Sequence, residues 1–275
     1  MHAVAAEREA IPRWERRAVG AIVKTLFHRG RKGARWSASP ALAPRAVEIP
    51  SFDGATLSGT WFACGSPRGA VLLAHPDRRY GQHWFVREGW VHLLRAHGYE
   101  ALTFDFPGYG GSRGPPTYHH EHVLAAARVA HEHAGGLPLH AVGLSLGAFA
   151  IANAAPRLDA ESLVLESPYP SFNAWYGRGA AKWAMDFFDG VFPRTSASIQ
   201  ADRNLARARA RRILVALAEE DEVTAPRLTE AMVERLPPGR ARLVRVPGAR
   251  HLEPFAASAG YRAAILATLA PPKPG

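Results

Sequence analysis

The sequence predicts an α/β protein: a mostly parallel, eight-stranded sheet with helices on both faces and a small helical cap insertion. Three observations carry this. Short runs at 70–74, 139–142, 162–166 and 213–218 are predominantly apolar without alternating, as strands covered on both faces must be. These runs are interleaved with longer stretches of helical periodicity, the rhythm of β–α crossover units. Ahead of most of them, 47–52 and 57–63 flank an Asp53-Gly54 turn, which is hairpin chemistry.

Taken in order, residues 1–10 read as a frayed start. From Pro12 a helix pattern begins, with Trp14, Ala18, Ile22 and Leu26 on one face, widened by Val19, Val23 and Phe27. Arg13, Arg16, Arg17 and Lys24 fall outside that stripe, so the helix is basic and amphipathic. Residues 30–44 read as a basic linker. The hairpin and the 70–74 strand follow, then a loop at 75–83 and a helix at 84–97 that Gly98 stops. A strand at 99–106 leads to a Gly/Pro-rich loop at 107–116 and a helix at 118–134, closed by Gly135-Gly136. The 139–142 strand runs into a helix reaching Pro156. Strands at 162–166, 212–218 and 241–246 and helices at 224–236 and 254–269 complete the pattern. One segment breaks the rhythm. Residues 168–211 are too many for a simple connection and carry Phe172, Trp175, Tyr176, Trp183, Phe187, Phe188 and Phe192, with Trp175, Gly179, Trp183 and Phe187 at helical spacing. Two readings compete: an ordinary helix packed on the sheet, and a small cap. The expected division is therefore 1–45 as a basic helix and linker, and 46–275 as one α/β domain with 168–211 as a cap insertion.

Composition excludes several classes. The formal charge of +10 is concentrated at the start: residues 1–45 hold 10 Lys/Arg against 3 Glu. The charge thus belongs mainly to the arm and does not describe the domain, and with no recognised module a nucleic-acid partner is not expected. Three destinations compete for the arm helix: the body of the protein, a dimer contact, or a membrane surface. Packing on the body is the default, and residues 12–35 are where peripheral membrane contact would arise. No run reaches the roughly 18 apolar residues of a spanning helix. Arg16-Arg17 followed by 18–27 resembles an export signal, but Lys24 interrupts the apolar core, so export is not expected. The single Cys64 excludes an intramolecular disulfide framework, which allows a reducing compartment without establishing one. Cytoplasmic placement is the expectation. The sequence sets no oligomeric state.

The stretch 139–150, L-H-A-V-G-L-S-L-G-A-F-A, puts Gly143-Leu144-Ser145-Leu146-Gly147 between a strand and a helix. That context turns a weak G-x-S-x-G pentapeptide into a nucleophile-elbow candidate. Ser145 is expected at positive φ, over the first turn of a helix whose N–H groups favour negative charge. A serine hydroxyl needs a base, and the base needs an anion to hold its tautomer. Of thirteen histidines, His251 follows the last strand and a Pro247-Gly248 turn, where it can swing over the sheet edge. His119, His120 and His122, in H-H-E-H, are taken as a solvated helix start. H-E-x-x-H is absent, and neither a metal nor a cofactor is expected. For the anion, Asp221 lies three residues past a strand end, but Glu219, Glu220, Glu222 and Glu166 remain alternatives. The oxyanion donors should be the backbone N–H groups of Leu146 and, because Pro76 has none, of Asp77.

With these residues assembled, the chain from about 47 to 269 resembles the α/β-hydrolase superfamily, in its serine-aminopeptidase-like and esterase/acylhydrolase branch. The matching stretches are V-L-L-A-H-P-D, L-T-F-D-F-P-G-Y-G-G-S-R-G, V-G-L-S-L-G-A, L-A-E-E-D-E-V-T-A-P and P-G-A-R-H-L-E-P. The resemblance implies Ser145 as nucleophile, Asp221 as acid and His251 as base, with Asp105 and Ser112 in a structural loop. Two positions depart from the family: His75-Pro76 stands where His-Gly is usual, and Ala218 where Gly is usual. The expected activity is a serine hydrolase cleaving a carboxylic ester or thioester, with 168–211 lining an apolar acyl pocket. A peptidase with the same triad and a non-catalytic binding protein are the alternatives. A dehalogenase or epoxide hydrolase is disfavoured, because it would need a carboxylate where Ser145 stands.

Overall fold

The computed structural model describes residues 11–27, 39–176 and 180–271. The frayed start at 1–10, most of the linker at 30–44 and the helical position Gly179 lie outside the described residues. Chain order begins with α1 (Arg13–Phe27), β1 (Pro44–Pro50), β2 (Thr56–Phe62) and β3 (Gly69–Ala74). Next come α2 (Trp84–Arg87), α3 (Trp90–Ala96), β4 (Tyr99–Phe104), α4 (His119–Ala134), β5 (Leu139–Leu144), α5 (Leu146–Ala154) and β6 (Ser162–Glu166). The long connection holds α6 (Phe172–Tyr176), α7 (Ala180–Val191), α8 (Pro193–Ser198) and α9 (Ala201–Ala206). The chain closes with β7 (Arg212–Ala218), α10 (Pro226–Glu234), β8 (Arg242–Val246), α11 (Pro254–Ala257) and α12 (Ala259–Leu269).

One eight-stranded sheet runs β1-β2-β4-β3-β5-β6-β7-β8. β2 is antiparallel to both its neighbours, and from β4 to β8 every pairing is parallel. β3, β4, β5 and β6 are buried along their whole length, because helices cover both faces. One face packs under α4, α5 and α9 around Leu72, Phe104, Phe149 and Leu205. The other packs under α3 and α12 around Val71, Trp90, Val142 and Ile265. The carboxyl ends of β3, β5, β6 and β7 therefore open onto a single rim.

Two expected helices are broken in two. The 84–97 helix kinks at Gly89, whose φ of 86° is left-handed, and the 254–269 helix is interrupted at Ser258. There the hydroxyl caps the second segment by accepting the Tyr261 N–H at 3.1 Å, an N-cap in the middle of the apolar pattern. The end of the expected linker is also structured: Pro40–Leu42 form a single turn with Leu42 buried, and β1 starts at Pro44.

The arm helix packs on the body, turned away from its apolar stripe. Its buried edge is Glu15, Val19 and Gly20, while Trp14 is 59% exposed. The cause is electrostatic. Glu15 accepts the backbone N–H of Thr195 at 2.7 Å, a donor in the first turn of α8 that the helix itself cannot satisfy. Arg16 adds an ion pair to Asp53 at 3.7 Å and lies over the Phe52 ring. Replacing Glu15 with Ala should cost about 1–3 kcal/mol, because it leaves a buried donor unmet. Replacing the exposed Arg13 with Ala should change stability by less than about 0.5 kcal/mol. Urea denaturation midpoints of the two variants check this.

Candidate active site

Ser145 stands at the β5–α5 junction with φ 50° and ψ −110°, a strained conformation for a residue with a side chain. Two glycines make the turn possible. A Cβ on Gly143 would come within 2.5 Å of the Gly147 carbonyl oxygen, and one on Gly147 would overlap the Ala74 carbonyl. The turn is held by the Ser145 N–H donating to the Glu166 carbonyl at 2.9 Å, and by Phe149 N–H reaching back to the Ser145 carbonyl at 2.9 Å.

His251 and Asp221 arrive from loops after β8 and β7. The His251 Nε2 lies 3.1 Å from the Ser145 hydroxyl, and Nδ1 lies 2.8 Å from Asp221 Oδ2. A carboxylate only accepts, so Nδ1 carries the proton and Nε2 faces the serine as acceptor. The two loops are stitched together by Glu220 N–H donating to the Ala249 carbonyl at 3.0 Å. The next residue, Leu252, has φ 68°, a tight bend that turns the imidazole back over the sheet. All three side chains are nearly buried.

Asp221 is held ionised against its burial. Desolvation opposes the charge, but His251, the Thr224 N–H and the Ser167 hydroxyl together draw its pKa below the ordinary carboxylate value. Its Oδ1 accepts the N–H groups of Val223 at 2.9 Å and Thr224 at 2.6 Å, and Oδ2 accepts the Ser167 hydroxyl at 2.8 Å. The other acidic candidates part from it. Glu219, Glu220 and Glu222 are exposed, and the Glu222 carboxylate accepts the backbone N–H of His251, at 3.4 Å, not the imidazole. Glu166 is wholly buried beside the Tyr261 hydroxyl, without hydrogen-bond geometry between them. Burial, and secondarily the charge of Asp221, push its pKa up to about 8.

The loop after β3, expected to supply an oxyanion donor, lies against the elbow. Leu146 is the first residue of α5, so its N–H has no carbonyl one turn back. The carbonyls of Ala74 and His75 lie against Gly147, which brings the His75–Asp77 loop alongside the elbow. The His75 ring holds that loop in shape. Its Nε2 accepts the Phe106 N–H at 3.0 Å, so its Nδ1 carries the proton and donates to the Pro76 carbonyl at 2.7 Å. Burial lowers its pKa, which keeps this neutral tautomer. Tyr109 donates to Asp77 Oδ1 at 2.5 Å. Pro76 in place of the usual Gly thus sits in a loop braced from two sides. Asp105 and Ser112 are structural: Asp105 accepts both Gln82 donors, and Ser112 links the Asp105 carbonyl to the Ser58 N–H.

Sequence reasoning did not single out Ser167, His75 or Tyr109 as supports. Ser167 follows the end of β6 directly, and that strand-end position was its one available signal. The H-H-E-H expectation is corrected: His120 and His122 are buried, not solvated. Burial lowers the His122 pKa to about 4, because a buried ring lacks the water that would solvate its charge. Among the described residues, no cluster of His, Cys, Asp or Glu fits a metal.

The aromatic segment divides. Phe149, one turn from Ser145, stacks on Tyr169 at 4.5 Å and meets Phe172 at 4.8 Å; Tyr169 stacks on Trp175 at 5.0 Å. The Trp175 indole N–H donates to the Val223 carbonyl at 2.8 Å, tying α6 to the Asp221 loop. α9 packs on α5, with Asn204 donating to Asn153 at 2.8 Å. Trp183 and Phe187 face outward instead.

A family model described as the alpha/beta hydrolase family matches residues 71–264. An uncharacterized protein of Mycobacterium tuberculosis (strain ATCC 25618 / H37Rv) is 30% identical over 234 residues, 79% of this chain and 76% of the relative. The lysophosphatidylserine lipase ABHD12 of Gallus gallus is 33% identical over 123 residues, 40% of this chain and 31% of the relative. The Pyrococcus furiosus esterase Pf2001 superposes with a TM-score of 0.68 at 18% identity, covering 86% of this chain and 95% of that one. XC6422 from Xanthomonas campestris, a serine hydrolase without a lid, superposes at 0.60 with 19% identity, covering 84% and 97%.

Glu166 carries a pH signature. The unfolded chain releases its proton near 4.5, whereas the folded chain keeps it to about 8. Stability linked to this group is full below 4.5 and is lost as pH rises to about 8. Glu166→Gln has no proton to lose, so relative to wild type it should gain roughly 3–5 kcal/mol between these limits, read by urea denaturation across pH.

Proposed function

The chain belongs to the alpha/beta hydrolase family, and from that premise we propose a serine hydrolase that cleaves a carboxylic ester or thioester by acyl transfer to water. The observation that carries this is the His251 ring bridging the Ser145 hydroxyl and Asp221 at 3.1 and 2.8 Å. Ser145 attacks the acyl carbonyl while His251 Nε2 takes its proton. Asp221 stabilises the imidazolium that forms and keeps the ring oriented. The tetrahedral oxyanion develops between the N–H groups of Leu146 and Asp77, at the positive end of α5. His251 then protonates the leaving alcohol or thiol. A water, deprotonated by the same nitrogen, releases the acid and restores Ser145. The Phe149, Tyr169, Phe172 and Trp175 cluster beside the elbow favours an apolar acyl group, and the lipase and esterase among the similar proteins favour an ester over an amide.

A fluorophosphonate probe should label wild type and leave Ser145→Ala unlabelled. On a panel of p-nitrophenyl esters, acyl thioesters and peptide amides, Ser145→Ala should lose on the order of 10⁵-fold in kcat and Asp221→Asn about 10⁴-fold. Equal labelling of wild type and Ser145→Ala would sink the proposal, and turnover confined to amides would reassign the substrate.

A further inference from the structure

α7 has apolar residues on two sides: Met185 and Phe188 are half-buried, and Phe188 meets the buried Phe192 at 4.9 Å between ring centroids. Its carboxylates are engaged by neighbouring groups: the exposed Asp186 and the half-buried Asp189 both accept from Asn173 on α6, at 2.9 and 3.0 Å, and Asp189 accepts the Ser196 hydroxyl on α8 at 2.6 Å. A further apolar row faces out. Trp183 is 73% exposed, Phe187 61% and Val191 39%, and the first two rings stack on each other at 5.8 Å. These three residues lie one helical turn apart, so they form a single outward row. Aromatic rings of this size lose favourable free energy by facing water, so the row calls for a partner.

A second exposed row adjoins it. Trp14 meets Phe192, directly after α7, at 6.3 Å between ring centroids. Beside Trp14 on the outer side of α1 stand Arg13 and Arg17, both exposed. The one acid of this turn, Glu15, is buried against Thr195. The acids of α7 are likewise engaged, Asp186 also with Lys182 at 2.7 Å. The patch therefore presents rings flanked by cations, on a chain of net charge +10 whose first 45 residues hold 10 Lys/Arg against 3 Glu.

We propose that the outer row of α7 together with the Arg13–Trp14–Arg17 edge of α1 is a docking surface for an anionic phospholipid bilayer. Tryptophan rings suit the headgroup boundary, with an apolar body and a polar N–H. Arginines beside them gain from a negative lipid surface. A second copy of the chain would bring the same cations face to face, which like-charge repulsion disfavours. Among the described residues no helix is long and apolar enough to cross a membrane, so the contact is lateral. It refines the contact expected through residues 12–35: α1 supplies the charge, and most of the apolar area comes from the 168–211 segment.

Vesicle flotation of the full chain tests this, comparing pure phosphatidylcholine with phosphatidylcholine mixed with phosphatidylglycerol. Wild type and Ser145→Ala should float equally with the mixed vesicles, about tenfold more than with the neutral ones, and less at high salt. Trp183→Ser/Phe187→Ser and Arg13→Glu/Arg17→Glu should each reduce flotation about tenfold, with melting curves matching wild type. Absence of wild-type flotation, equal flotation on both lipids, or undiminished binding of the folded α7 variant overturns the proposal. So does a dimer in sedimentation that the α7 variant disperses while vesicles recruit nothing. Flotation reads the surface alone, so a failed esterase assay leaves it standing.

Discussion

The contact between Gly147 and the Ala74 carbonyl lets the helix after the elbow lie directly against the neighbouring strand. From it follow the height of Ser145 above the sheet and the position of the Leu146 N–H. It also sets the nearness of the His75–Asp77 loop. A single methyl group at residue 147 would push these apart, since packed backbone has no slack to absorb it. The strain at Ser145, with φ 50°, is borne by the bonds to Glu166 and Phe149 and by the burial of α5 between β5, α4 and α9.

Around that junction, the same kind of group is tuned in opposite directions by its surroundings. Asp221 and Glu166 stand at the carboxyl ends of adjacent strands. Four hydrogen bonds surround Asp221 and keep its charge. Glu166 has no comparable donors, and burial makes it a neutral acid. The imidazoles divide likewise. His251 is oriented by a carboxylate toward Ser145, whereas His75 is locked as a neutral brace by a backbone donor and a backbone acceptor. Residue type alone does not distinguish these roles; the donors supplied by neighbouring loops do.

α1 and α7 share a principle that periodicity does not capture. In both, carboxylates bond to a neighbouring helix while apolar rings stay outside: Glu15 meets the buried N–H of Thr195 at the start of α8, and Asp186 and Asp189 meet the half-buried Asn173 on α6. At α1 an unmet buried donor would cost about 1–3 kcal/mol, so the polar anchor holds and the Trp14 ring is left outside. The aromatic segment has two fates, with Phe172 and Trp175 packed toward the elbow and the Asp221 loop, and Trp183 and Phe187 facing out.

Strand identities, their β–α rhythm, the hairpin and the elbow were legible in the sequence, because each rests on local patterns: apolar runs, turn residues and two obligatory glycines. So were Ser145 and His251 as candidates, since each lies next to a strand end. The choice of Asp221 over Glu166, Glu219, Glu220 and Glu222 was not settled by spacing, because all five lie at or just past a strand end, and only the fold shows which one reaches His251. The breaks at Gly89 and Ser258, the burial of His120 and His122, and the rotation of α1 likewise belong to tertiary structure. The last two turn on partners distant in sequence, as His122 turns on Ser51 across 71 residues and Glu15 on Thr195 across 180, and no local pattern encodes a hydrogen bond whose other half is that far away.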